Sequence, residues 1–125
     1  MTMEDDNPKW SYAKVDSDNC ISEIVEKVVI SKFATTGVYG FSSTARFMKA
    51  FESMKANNDT HAGELFVGPA YNHLPREFGC VSNFSVGVLG DVMYGLGIPS
   101  DLEKFISSPV SLISNQKLKS LYASQ

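Results

Sequence analysis

A chain of 125 residues with a net charge of −3 and 43% hydrophobic residues has the size and make-up of one globular domain. The acidic balance argues against nucleic-acid binding, which needs a basic face. No apolar run reaches the roughly 18 residues of a membrane span, and the acidic start Met1–Pro8 is no signal peptide, so a cytoplasmic protein without membrane contact is expected.

Residues 1–9 read as a disordered or loop N-terminus. Trp10 to Val15 alternates like a strand, Asp16-Ser17-Asp18-Asn19 is a turn, and Cys20 to Val25 resumes an extended run. The spacing predicts a β-hairpin over Trp10–Lys27 with a four-residue loop. Ala34 to Phe41, rich in Thr, Val and aromatics, is a third strand. Ser42-Ser43 then offers an N-cap to a helix over Thr44–Asn57, with Phe47, Met48, Phe51 and Met54 as its apolar stripe.

Glu64 to Val67 reads as short and extended, and Pro69 suits the first position of a brief helix through Leu74. Phe84 to Leu89 alternates as a strand, with Gly87 its weak point. Ser100 and Glu103 match a capping box, opening a helix that buries Leu102, Phe105 and Ile106 and closes at Pro109. The tail 109–125 reads as a weak helix or a frayed end, with Leu112, Ile113, Leu118 and Leu121 as anchors. No internal repeat or linker divides the chain, so 10–108 is expected to form one unit of mixed α and β.

Cys20 and Cys80 lack metal or redox spacing, and the simpler expectation is two separate reduced thiols. His61 and His73 are isolated, and no convergent ligand set for a metal is visible. Lys27 is a compact cation at the end of an apolar run. It suits a phosphate, or is simply a surface ion. Glu64 would accept hydrogen bonds from sugar hydroxyls, or is a solvated loop acid. Gly95 and Gly97 precede a helix and read either as an anion approach or as a tight turn. There is no Walker loop, no Gly-x-Ser-x-Gly elbow and no His-Glu-x-x-His.

Taken in order, four stretches carry a family likeness: Glu26-Lys27, Thr35-Thr36-Gly37-Val38-Tyr39, Gly63-Glu64 with Pro69-Ala70-Tyr71-Asn72, and Gly95-Leu96-Gly97-Ile98-Pro99-Ser100-Asp101-Leu102. Over about Trp10 to Ile106 the chain resembles the C-terminal half of a sugar-1-phosphate nucleotidyltransferase. That family joins a nucleoside triphosphate to a sugar phosphate and releases pyrophosphate, a step of nucleotide-sugar and polysaccharide biosynthesis. The resemblance implies an α/β fold, a partial nucleotide-diphospho-sugar transferase (Rossmann-like) fold with a mixed sheet and flanking helices. It assigns sugar-phosphate binding to Glu26, Lys27, Thr36, Gly37, Tyr39 and Glu64, and names no catalytic residue.

The departures are equally definite. The family's glycine-rich nucleotide loop has no counterpart here. The complete family enzyme uses Mg2+, but the position of one metal-binding aspartate is Gly95, so this chain alone supports no metal. Val28 replaces a proline and Ile98 a threonine. The resemblance therefore implies a sugar-binding half over 10–108 that is inactive alone and needs an N-terminal half as partner, from a truncated or split reading frame. The alternative is a degenerate, non-catalytic binding or self-association module.

Overall fold

The structure, a computed structural model, describes residues 1–90 and 93–123. Among the described residues it is an α/β chain with five strands and three α-helices. Two compact units divide it, Met1–Gly87 and Val88–Gln125, where one unit over 10–108 was expected. The boundary follows Gly87, whose φ of +101° is a conformation that residues with side chains rarely take.

Strands β1 (Thr2–Glu4), β2 (Ser11–Val15), β3 (Ile21–Glu26), β4 (Phe33–Thr35) and β5 (Ser85–Val88) form one sheet in the order β3-β2-β4-β1-β5. The pairs β2–β3, β2–β4 and β1–β4 are antiparallel. Strand β1 corrects the expected N-terminal loop. Its three residues are too few to show an alternation in sequence, yet Met3 is fully buried, and Thr2 Oγ1 donates to Asn83 Oδ1 at 2.8 Å.

The hairpin β2–β3 forms as the turn residues dictate. Asp16 Oδ1 accepts the N–H groups of Asp18 and Cys20, each at 2.9 Å, and Asn19 takes a left-handed φ of +62°. A register shift between Lys14 and Val15 brings Ser11 opposite Glu26. Strand β4 ends at Thr35, well short of the expected Phe41, because Gly37 turns the chain at a φ of +82°.

Tyr12 is fully buried in β2, and its hydroxyl donates to the Asn7 carbonyl at 2.8 Å. Burial, with Asp5 and Asp6 nearby, pushes its phenol up to about 12 from an ordinary value of 10.0. Between those values the unfolded chain has lost the proton and the folded chain has kept it. Stability is therefore undiminished by this group below pH 10 and falls as pH rises towards 12. Urea midpoints measured across pH 9 to 12 will show that fall, and Tyr12→Phe will flatten it.

Helix α1 (Thr44–Ala56) starts as expected, with Ser43 Oγ accepting the Arg46 N–H at 3.3 Å. Its buried face is narrower than the stripe suggested. Ala50 and Met54 are buried and pack with Ala70, while Met48 is 45% exposed. The surface opposite is the small 3-10 helix Pro69–His73, so only one turn-to-turn line of α1 is covered. The two cysteines, expected as separate thiols, form the disulfide Cys20–Cys80 with Cα atoms 5.6 Å apart. Around it the hairpin turn is tied to the segment before β5, through Ile21 N–H to Val81 O at 2.8 Å and Asn83 N–H to Asn19 O at 3.0 Å.

In the second unit, helix α2 (Pro99–Ile106) begins one residue before the expected cap. Ile98 is its N-cap, with no side-chain bond, and Ser100 lies inside the helix. Proline at the first position has φ already set for a helix and no N–H to satisfy, so it opens the helix without the box. Leu102 and Ile106 are exposed, while Phe105 meets Tyr94 edge-on with ring centres 5.4 Å apart. Pro109 likewise opens rather than closes: α3 spans Pro109–Ala123. Leu112 and Ile113 are exposed; the side chains of Leu118 and Leu121 lie outside the described residues.

Candidate functional site

The end of the β2–β3 hairpin builds the site. Ser11 and Glu26 are register partners, so their side chains leave the sheet on one face, and Ser11 Oγ donates to Glu26 Oε2. Glu26 is a buried carboxylate, and that hydrogen bond fixes one of its oxygens. The ladder closes with Lys27 N–H donating to Trp10 O at 3.0 Å.

Lys27 itself sits at a φ of +55°. A lysine there carries a cost of roughly 1–2 kcal/mol that glycine would not. The turn takes its side chain out of strand alternation, and its Nζ lies 5.5 Å from the centre of the Phe66 ring.

Across the sheet, Thr35 and Tyr39 join their hydroxyls at 2.9 Å, and Thr36 Oγ1 donates to Met1 O at 3.3 Å. Gly37 makes the turn between them. Gly68 is needed for a different reason. A Cβ there would lie 3.1 Å from the Tyr39 hydroxyl and 3.2 Å from Ile24 Cγ2, so the backbone could not pass so close with any larger residue unless those neighbours gave way.

These groups enclose a cleft of ≈ 310 Å³ lined by Trp10, Ser11, Glu26, Thr35, Thr36, Gly37, Tyr39, Phe66, Val67 and Gly68. Of the six residues singled out in sequence, Glu26, Thr36, Gly37 and Tyr39 line it. Lys27 stands beside it, over Phe66. Glu64 is not among the lining residues. It is exposed on a tight turn, exchanging both backbone hydrogen bonds with His61 at 3.0 Å across Ala62 and Gly63, both at positive φ. Trp10, Ser11, Phe66, Val67 and Gly68 are additions from the structure. Sequence carried no signal for them, because the hairpin register that aligns Ser11 with Glu26 depends on the shift at Lys14/Val15.

A larger hollow of ≈ 440 Å³ lies in the same unit and shares Thr35 and Tyr39 with the cleft. Aromatic groups dominate it. Phe41 stacks on Tyr71 at 4.5 Å, and the Arg46 guanidinium lies 4.5 Å from the Phe78 ring centre. Of its polar groups, the Tyr71 hydroxyl is engaged, donating to Gly40 O at 2.7 Å. Burial raises that phenol above its ordinary value, the Gly40 bond partly opposing it. The cleft with the buried carboxylate is the better candidate for a polar ligand.

Among the described residues, no three of His, Cys, Asp and Glu converge so as to hold a metal ion. Nor is any helix among the described residues long and apolar enough to cross a membrane.

No family model and no curated protein sequence matches this chain. Among solved structures, the chain is similar to the crystal structure of the nucleoside-diphosphate-sugar pyrophosphorylase from Vibrio cholerae RC9, with a TM-score of 0.74 and 22% identity. The match covers 86% of this chain and 45% of that one. At this identity the likeness is one of fold, and it places this α/β chain beside less than half of a nucleotide-sugar pyrophosphorylase.

Proposed function

We propose that the Glu26 cleft binds the sugar phosphate in a nucleotidyltransferase-type reaction. The observation that carries this reading is the gathering of Glu26, Thr36, Gly37 and Tyr39, from β3 and the turn after β4, around one cleft. In that reaction a phosphate oxygen of the sugar phosphate attacks the α-phosphorus of a nucleoside triphosphate, and pyrophosphate leaves. Glu26 accepts sugar hydroxyls with the oxygen that Ser11 does not occupy. Lys27 answers the phosphate charge from the cleft rim, held there by the left-handed turn. Such strained positions persist where the surrounding structure enforces them, and they cluster at ligand sites.

The triphosphate is bound by groups outside this set, so the chain by itself binds the sugar phosphate and transfers nothing. A partner supplying the nucleotide loop completes the reaction. The second reading, a non-catalytic self-associating module, is favoured by one observation: Phe84 and Val38 are large apolar side chains 65% and 55% exposed.

The test is calorimetric titration of the chain with a panel of hexose 1-phosphates. Lys27→Gly is the informative variant, because glycine relieves the positive φ while removing the charge. Stability should stay within about 1 kcal/mol of the parent, and sugar-phosphate affinity should fall roughly 10- to 100-fold, as for a lost charge-assisted hydrogen bond. Glu26→Gln should weaken binding about 10-fold with inorganic phosphate little affected. If no hexose phosphate binds the parent chain, or Lys27→Gly binds as well as the parent, the proposal is wrong.

A further inference from the structure

We infer that Trp10 and Phe66 form an aromatic seat for the C–H face of a pyranose ring, so that the cleft selects cyclic hexose phosphates over acyclic phosphates. This rests on the reading of the cleft as a sugar-phosphate site, and it names what confers preference there. Both aromatic residues line the cleft, together with the buried Glu26 carboxylate. A pyranose presents just these two demands: a face of C–H groups that packs on an aromatic ring, and a rim of hydroxyls that needs acceptors.

The indole is fixed before any ligand arrives. Its Nε1–H donates to Asp5 Oδ2 at 2.6 Å, and Lys9 Nζ lies 4.7 Å from the ring centre. A ring already held in place loses little conformational freedom on binding. Each aromatic wall also carries an ammonium group, Lys9 on Trp10 and Lys27 on Phe66, which favours an anionic sugar over a neutral one. An acyclic phosphate such as glycerol 3-phosphate carries the same charge but has no ring face of C–H groups to pack on Trp10 and Phe66.

Trp10 is the only tryptophan in the chain, so its emission reports on this cleft alone. Titration with glucose 1-phosphate should change the emission saturably, and glycerol 3-phosphate at equal concentration should not. By calorimetry, Trp10→Leu should weaken glucose 1-phosphate roughly 10-fold and leave glycerol 3-phosphate unchanged, while Trp10→Phe should stay within about 3-fold of the parent. If Trp10→Leu does not fold, the parent's emission titration and Trp10→Phe decide the matter. Equal affinity of the parent for the two phosphates, or an equal loss of both in Trp10→Leu, overturns the aromatic seat while leaving the phosphate site standing. Failure of every phosphate to bind overturns both.

Discussion

Replacing Cys20 and Cys80 together by serine will lower the stability of the Met1–Gly87 unit by about 3–4 kcal/mol. The two residues are 60 apart in sequence, and closing a loop of that length removes roughly this much free energy from the unfolded chain. The thermal midpoint should fall by roughly 15–30 °C for a domain of this size. Urea denaturation with and without a dithiol reductant makes the same measurement on the parent protein, and an unchanged midpoint would sink the idea. Cys80 lines the larger aromatic hollow and is not among the residues of the Glu26 cleft, so hexose-phosphate affinity measured well below the new midpoint should be unchanged. The bond also bears on cellular setting. Disulfides persist in oxidising compartments, whereas cytosolic thiols are kept reduced.

Met54→Ala will cost about 3 kcal/mol, the usual penalty for emptying a fully buried methionine site. Met54 joins Ala50 and Ala70, with Phe51, Leu65 and Leu74 packed against them. Ala50 and Ala70 are too small to close the gap it leaves. The exposed Met48→Ala on the same helix serves as control and should stay within about 0.5 kcal/mol of the parent. Urea midpoints of the two variants decide the matter: equal losses would mean that α1 is not docked through Met54. The effect should reach the cleft. Ala70 belongs to the 3-10 helix Pro69–His73, whose Asn72 side chain donates to Ile24 O at 2.7 Å and accepts the Ile24 N–H at 2.8 Å. Ile24 lies two residues before Glu26, so loosening α1 loosens the strand that presents the carboxylate.

Local chemistry was legible where a few neighbouring residues decide the outcome. Asp16 to Asn19 specify their turn whatever surrounds them, Ser43 caps α1, and Pro69 opens its short helix. Glu26, Thr36, Gly37 and Tyr39 were found through their likeness to a family pattern and do share a cleft. What sequence concealed depends on distant partners. The shift at Lys14/Val15 decides that Ser11 faces Glu26, and no residue type there announces it. Strand β1 is three residues long and exists because β4 and β5 flank it. Met48 fits the helical stripe as well as Met54 does. Only the small size of the opposing 3-10 helix leaves it outside. The cysteines are 60 residues apart, and nothing local reveals that the turn of a hairpin meets the approach to β5.

The hydrogen bonds from Asn72 to Ile24 have a meaning beyond holding a helix in place. Strand β3 ends the sheet, and an outermost strand is a template on which further chains can align and accumulate. A primary amide presents an N–H donor beside a carbonyl acceptor, with the spacing of a peptide group. Asn72 thus imitates a single residue of the next strand, and the imitation cannot be extended. The ladder position at Ile24 is thereby occupied from within the chain. Asn72→Ala should reveal this as thioflavin-positive assembly at concentrations where the parent chain stays dispersed.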